Sequence, residues 1–246
     1  MRIMSNRRGT FESFESLSNA MGLEESRNPV ISLVGAGGKT TILMQLAFEQ
    51  KVLSRDVFVT TTTHIYEPAQ YASVDEDEKT IIEKLKKEHL VIAGVRAKEG
   101  KIAALPEDTY LKVLREADVT LVEADGSKRF PAKVPNNREP VIPAKTTDVV
   151  IVMGLKSLNR TLKDGCHRCE LAEEFLGKSA EDVLSEADLV KIILLKYIKP
   201  LSEKYPGVKI RCLLNQADND ERLRKAMIIA ESLVGVECIL RSDREE

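Results

Sequence analysis

Seven short apolar runs punctuate the chain: VISLV (30–34), DVFVT (56–60), LVIAGV (90–95), VTLVE (119–123), DVVIVM (148–153), KIRCLL (209–214) and VECIL (236–240). They are near-continuously apolar rather than alternating, which predicts strands covered on both faces. Helical stretches separate them. KTTILMQLAFEQKVL follows the first run. DEKTIIEKLKKEH follows the second, acidic at its start and basic at its end, as the helix dipole prefers. PEDTYLKVLREA opens on Pro and two acids and sets Tyr110, Val113, Leu114 and Ala117 on one face. ERLRKAMIIAESLV carries Leu223, Ala226, Met227, Ala230 and Leu233 at helical spacing. Buried strands alternating with helices predict an α/β fold: three layers, a mainly parallel sheet with helices on both faces. The length of 246 residues fits one such domain. KEGKIAAL after LVIAGV reads as a local hairpin near 90–104. Phe11, Phe14, Leu17 and Met21 recur at helical spacing, which predicts a short N-terminal helix over about 10–22. Ser179 followed by Asp182 predicts a helix N-cap with an acidic partner.

In such sheets ligands bind beyond the carboxyl ends of the strands. After the first strand stands GAGGKTT. The usual phosphate loop, GxxxxGK(S/T), places a glycine five positions before the second one. Here that position is Leu33, so the strict spacing fails. The mechanics survive. Inward-turned N–H groups, positive charge and a helix N-terminus are what bind phosphate, and glycines permit the close approach. Gly35, Ala36, Gly37, Gly38, Lys39, Thr40 and Thr41 are therefore assigned to phosphate binding, with Lys39 as the charge and the Thr40 hydroxyl as a Mg²⁺ ligand, unless the segment is only a Gly-rich strand-to-helix turn without a ligand. The segment resembles the shorter GxxGKTT loop of Mur-type ligases, which makes the expected fold P-loop NTPase-like.

The other strand ends carry polar groups too. Thr60, Thr61, Thr62, Thr63 and His64 follow the second strand. The threonines suit a strand as well as they suit a phosphate, and His64 is either a proton carrier or a structural hydrogen-bonder. Glu123-Ala-Asp125-Gly-Ser-Lys128 follows the fourth. Glu123 or Asp125 would hold Mg²⁺ opposite Thr40 or orient a nucleophile, unless the segment is only an acidic turn. Between the fourth and fifth strands GSKRFPAKVPNNREPVIP holds Lys128, Arg129, Lys133 and Arg138 among four prolines. It reads as a stiff basic loop for a second anionic ligand or a transition-state cation, or as a solvated surface loop. LNQAD after the sixth resembles the NKxD element by which many GTPases read guanine, with Gln216 in the place of Lys. Asn215 and Asp218 would then read a base.

Composition excludes several classes. A net charge of −2 gives no reason to expect nucleic-acid binding. No run of 18 apolar residues predicts a membrane span, and MRIMSNRRGTFESFESL lacks the unbroken apolar core of a signal peptide, so the expected location is cytoplasmic. Cys166 and Cys169 form a CxxC without a second pair, read as reduced thiols or as a metal or redox site. Cys212 and Cys238 lie in apolar runs as core residues.

GAGGKTT, TTTTHIYEP, EADGSKRFPAKVP with EPVIP, CHRCE and LLNQAD fall in an order that resembles the YqeC-type proteins, from about Val30 to Asp218. Arg138 stands where that pattern leads one to expect His. The resemblance implies a role as a selenium cofactor biosynthesis protein, or as an accessory protein of selenium-dependent molybdenum hydroxylases. The arrangement also resembles the metallochaperone GTPases. The combined expectation is a Mg²⁺-dependent protein binding ATP or GTP. It would act as an NTPase or as a phosphoryl or nucleotidyl transferase, with Glu123, Asp125 and Lys128 as catalytic groups. The alternative is a non-catalytic carrier. Expected partners are a molybdopterin nucleotide, a selenium donor or a molybdenum hydroxylase.

Overall fold

The computed structural model describes residues 1–7 and 10–243. In chain order it runs β1 (Arg2–Arg7), β2 (Thr10–Phe14), α1 (Leu17–Met21), β3 (Val30–Gly35), α2 (Lys39–Val52), β4 (Val57–Thr61), β5 (His64–Tyr66), β6 (Ala72–Val74), α3 (Glu78–Glu88), β7 (Leu90–Arg96) and β8 (Lys101–Ala103). It continues with α4 (Glu107–Glu116), β9 (Val119–Glu123), β10 (Ala132–Lys133), β11 (Asp148–Gly154), α5 (Leu162–Gly165), β12 (Cys166–His167), α6 (Cys169–Leu176) and α7 (Glu186–Ile192). A π-helical segment (Ile193–Ile198) leads into α8 (Lys199–Lys204), and the chain ends with β13 (Lys209–Asn215), α9 (Asp220–Ser232) and β14 (Glu237–Ser242).

One large sheet takes the order β2-β1-β14-β13-β11-β3-β9-β4-β7-β8-β5. From β14 to β7 every neighbour is parallel. The rims are antiparallel: β1 on β14, β2 on β1, β8 on β7 and β5 on β8. β6 pairs in parallel with β7. The seven apolar runs supply the parallel centre, and the predicted hairpin near 90–104 is the β7–β8 pair. β3 lies at the middle, with β9 and β4 on one side and β11, β13 and β14 on the other. The strand order reverses there, so the crevice opens at its carboxyl end.

Strand alternation divides the core between two faces. Ile31, Leu33, Val57, Val59, Val150 and Val152 pack under α1 and α2. Val149, Ile151, Met153, Cys212 and Leu214 pack under the helices from α5 to α9, and Phe58, Val91 and Ala93 under α3 and α4. This is a three-layer α/β architecture with helices on both faces. Among the described residues no helix is long and apolar enough to cross a membrane.

Two predicted helix starts differ from what is found. Residues 10–14 form a strand, and the helix is confined to Leu17–Met21, capped by Ser16, whose side chain accepts from Asn19 N–H. Phe11 packs against the core beneath α7–α9 and Phe14 against the core beneath α2, on opposite faces of the sheet. A spacing of three is one face of a helix but two faces of a strand. Ser179 and Asp182 do pair, Ser179 N–H donating to Asp182 at 2.7 Å, but in a turn. The helix begins six residues later, where Ser185 and Asp188 form a reciprocal capping box.

Candidate functional site

β3 ends at Gly35 and α2 begins at Lys39, so GAGGKTT is the strand-to-helix turn. Gly35, Gly37 and Gly38 hold φ of 87°, 92° and 110°. Space demands glycine here as much as φ does. A Cβ at Gly37 would lie 2.4 Å from the Gly154 backbone and 2.7 Å from Pro131 O, and one at Gly35 would lie 2.3 Å from Val152 O.

The first half of the loop is tied to protein. Gly35 N–H donates to Asp125 Oδ2 (3.2 Å), Ala36 N–H to Val152 O (2.9 Å) and Gly37 N–H to Phe130 O (3.1 Å). The second half is not. The first helical bond is Ile42 N–H to Gly38 O (3.0 Å). The N–H groups of Gly38, Lys39, Thr40 and Thr41 meet no acceptor among the described residues. Those four donors, at the start of a 14-residue helix, line a cleft of about 930 Å³.

Lys39 lies beside them, 3% exposed, its Nζ donating to Gly35 O at 2.7 Å. Burial lowers its pKa, and the carboxylates of Glu123 and Asp125 pull it back up. Thr40 Oγ1 donates to Glu123 Oε2 at 2.7 Å, joining the first turn of α2 to the end of β9. Burial raises the Glu123 pKa, against the attraction of Lys39 and the Thr40 hydrogen bond. A hydroxyl and a desolvated carboxylate side by side in the cleft fit Mg²⁺, which takes one or two protein oxygens and leaves its other positions to phosphate and water. Among the described residues no cluster of three His, Cys, Asp or Glu could hold a metal by itself.

Asp125 is placed differently from Glu123. It is 1% exposed and is not part of the cleft wall. One carboxylate oxygen takes the Gly35 N–H and the other pairs with Lys133 Nζ. Lys133, fully buried, also meets Gly126 O (2.6 Å) and Glu139 (2.7 Å). Glu139 in turn holds Arg168 at 2.8 Å. A chain of charges, buried at Asp125 and Lys133 and half-buried at Glu139 and Arg168, thus runs from the phosphate loop to the cleft wall. Tyr197, on the π-helical segment, packs beneath it, its hydroxyl 3.4 Å from Lys133 O. The expectation that Lys133 waits for an anion is corrected: its charge is already matched.

Asn215 is likewise spent within the protein. Its Nδ2 donates to Gly37 O (2.7 Å), its Oδ1 accepts from Arg241 (3.0 Å), and it is 3% exposed. Asp218 stands off the cleft wall, near Lys156 (3.4 Å) and Arg222 (3.5 Å). Gln216 and Lys156 line the cleft instead. Of the threonines, Thr60, Thr61 and Thr62 donate to backbone carbonyls, and Thr63 and His64 reach the cleft. Arg138 is exposed and outside it.

Several cleft residues have no individual role assigned by the sequence, and two of them, Lys101 and Arg160, lie in no segment that it singles out for chemistry. Tyr66, Lys101, Arg129, Arg160, His167 and Arg168 join Lys128 in the wall. His167 stacks on Phe130 with ring centres 5.9 Å apart. Burial, reinforced by the charges of Lys133, Arg168 and Lys128, lowers its pKa to about 4, so the ring is neutral at neutral pH. Beside it the Cys166 thiol is pushed up to about 12 by burial, and Cys169 is also raised by burial and neighbouring carboxylates. Both are free thiols that resist forming the thiolates a metal needs.

Two comparisons bear on this site. The family described as YqeC protein matches residues 31–170, from β3 through the start of α6. The uncharacterized protein YqeC of Escherichia coli (strain K12) is 34% identical over 176 residues, covering 69% of each chain. The matched stretch contains the loop, Thr40, Glu123, the Asp125–Lys133 pair and the CHRC segment, and the chain belongs to the YqeC family.

Proposed function

We propose that the cleft binds the Mg²⁺ complex of a purine nucleoside triphosphate, ATP or GTP, and that the protein transfers or releases a phosphoryl or nucleotidyl group during maturation of a selenium-containing molybdenum cofactor. The observation that carries the nucleotide reading is the row of four open N–H groups at the start of α2, with Lys39 and the Thr40–Glu123 pair beside it. Backbone donors of this kind bind phosphate with no need of the longer loop spacing. The pathway reading draws on family membership and on the motif order described above.

In this reading Gly38 to Thr41 hold the β- and γ-phosphates, and Lys39 exchanges its Gly35 carbonyl for a phosphate oxygen. Thr40 and Glu123 would hold Mg²⁺, and the metal would supply charge neutralisation at the transferring group. Asp125 acts through the Gly35 N–H and Lys133 rather than on the metal. Lys128, in the cleft wall, would meet the second substrate's anion. Gln216 and Lys156 are the cleft groups after the sixth and fifth apolar strands that a base could meet, and the neutral His167 ring would be a hydrogen-bond partner for a second substrate.

A second reading has its own support. With Asp125 sealed in an ion pair and Glu139 paired with Lys133 and Arg168, Glu123 is, among the described residues, the carboxylate of the cleft wall left without a cationic partner within salt-bridge distance, which suits a carrier gripping a pterin nucleotide or a client hydroxylase without turnover. Calorimetry with ATP and GTP, with and without Mg²⁺, tests the shared part. Lys39→Ala should weaken binding roughly ten- to a hundredfold, and Thr40→Ala should weaken only its Mg²⁺-dependent part. Equal binding by wild type and Lys39→Ala sinks the phosphate-loop reading. Phosphate release with candidate acceptors then separates enzyme from carrier.

A further inference from the structure

The segment Ser127–Phe130 is a tight turn closed by Phe130 N–H donating to Ser127 O at 3.0 Å. Its two central residues, Lys128 and Arg129, have φ of 48° and 66°. Consecutive positive φ is the geometry for which Asn-Gly is the preferred pair, and long L side chains cost stability there. The turn is also fixed to the phosphate loop, through Gly37 N–H to Phe130 O. Arg129 lies 5.2 Å from the Tyr66 ring centre and Lys101 lies 5.3 Å from it, all within the same cleft.

The chain as a whole carries a net charge of −2, yet the cleft wall holds Lys39, Lys101, Lys128, Arg129, Lys156, Arg160 and Arg168 against the carboxylates Glu123 and Glu139. One of those carboxylates already pairs with buried Lys133 and with Arg168. Lys156 meets Asp218 and Arg168 meets Glu139, so a Mg²⁺-bound triphosphate that engages Lys39 leaves Lys128, Arg129 and Arg160 as the cleft cations without a carboxylate partner among the described residues. Nearest Tyr66, Lys101 already meets Glu99 at 3.2 Å, and the charges with no carboxylate partner among the described residues are those of the strained turn, Lys128 and Arg129.

We infer that the turn bearing Lys128 and Arg129, together with Lys101 and Tyr66, forms a second anion site that takes a phosphate-bearing acceptor while the loop holds its nucleotide. This deepens the proposed function and rests on it for what the loop holds. The strain explains why basic residues occupy a turn that would be more stable with Asn-Gly: their charges are placed toward an anion. The Phe130–Gly37 bond ties the two sites into one frame.

The experiment is calorimetric titration of inorganic phosphate into protein saturated with a non-hydrolysable Mg²⁺–nucleotide, for wild type and for Lys128→Asn/Arg129→Gly. Wild type should take up phosphate with the nucleotide in place. The variant should lose that uptake at least tenfold and unfold at a higher temperature, because its turn is relaxed. Loss of uptake in wild type on adding nucleotide would mean a single anion site and overturns the inference. So does undiminished uptake by the variant, and so does lost uptake with a lowered unfolding temperature, which reports a broken turn. If wild type binds no nucleotide, the proposed function fails on its own, and the titration is read on free protein. Uptake lost in the variant then supports the second site, and uptake retained overturns it.

Discussion

Asn215→Ala separates two roles for the residue that opens LNQAD. As a base reader, Asn215 would face the ligand. In the structure its amide joins Gly37 O of the phosphate loop to the Arg241 guanidinium, and Arg241 also reaches Gln45 on α2 at 2.8 Å. The orientation of the amide follows from its partners, since a flipped amide would set donor against donor at Arg241 and acceptor against acceptor at Gly37. Removing it leaves a carbonyl without its donor in a buried place and takes one acceptor from a guanidinium. Each such loss is worth about 1–3 kcal/mol, so the pair totals about 2–4 kcal/mol because Arg241 keeps Gln45 and Asp243. For a chain of this size that is roughly 5–15 °C in Tm. Affinity for ATP and GTP should fall together, since the loop and not the base is disturbed. Asn215→Asp keeps the Arg241 contact but opposes Gly37 O with an acceptor, so it should hurt binding more than stability. Differential scanning calorimetry and nucleotide titration read both. An Asn215→Ala protein with wild-type Tm and an altered ATP:GTP ranking would refute the bracing role and restore base recognition.

Other perturbations give distinct readouts. Gly37→Ala forces a Cβ to 2.4 Å from the Gly154 backbone in a left-handed conformation; it should cost about 2–4 kcal/mol by chemical denaturation and abolish nucleotide binding. Glu123→Gln should raise the Tm of the free protein at neutral pH while weakening Mg²⁺-dependent binding. With its folded pKa raised by burial, ionising Glu123 costs stability as pH rises from the ordinary carboxylate value to the raised one, and the cost persists above it. Nucleotide affinity should follow a narrowed bell in pH. On the acid side Glu123 must lose a proton it holds unusually well, and on the alkaline side Lys39 must regain one it holds poorly, so Lys39→Arg should extend the alkaline limb if the fork fits. Purified protein should carry no stoichiometric zinc by elemental analysis, and Cys166 should react with thiol reagents only on unfolding, because its thiol titrates near about 12.

The centre of the sheet was readable because its strands are buried on both faces and so are apolar without interruption. VISLV and DVVIVM name themselves. The rims lack that property. β5, β6 and β8 are three residues each with polar or exposed positions, and TFESF has a polar, largely exposed pattern. An edge strand needs only one neighbour, and its pairing is set by a partner distant in sequence: β1 lies on β14 across most of the chain. Local pattern carries no information about that. The same limit explains Ser179 and Ser185. Each precedes an Asp by three residues, and only the second is followed by the apolar run LVKII that gives a helix something to bury.

The loop shows why its chemistry was legible while its spacing was not. The longer motif wraps a phosphate with its own residues. Here part of the wrapping comes from elsewhere: Phe130 and Pro131 from the basic segment, Gly154 from the end of β11, Asn215 from the end of β13, and Asp125 with its buried Lys133. Asp125, Val152 and Phe130 take the first three loop N–H donors, and the next four stay open among the described residues. Gly35, Gly37, Gly38, Lys39 and Thr40 could be read from sequence because each answers a local demand of φ, space or charge. Their supports could be found in the sequence but not assigned, since Asp125, Lys133 and Asn215 present the same residue types whether they touch a ligand or hold the residues that do. Access to the cleft decides between those roles: Glu123 lines the cleft wall, while Asp125, two residues on, is closed off by Lys133. The sequence-level pairing of the two carboxylates therefore resolves into one group facing the cleft and one holding the loop in shape.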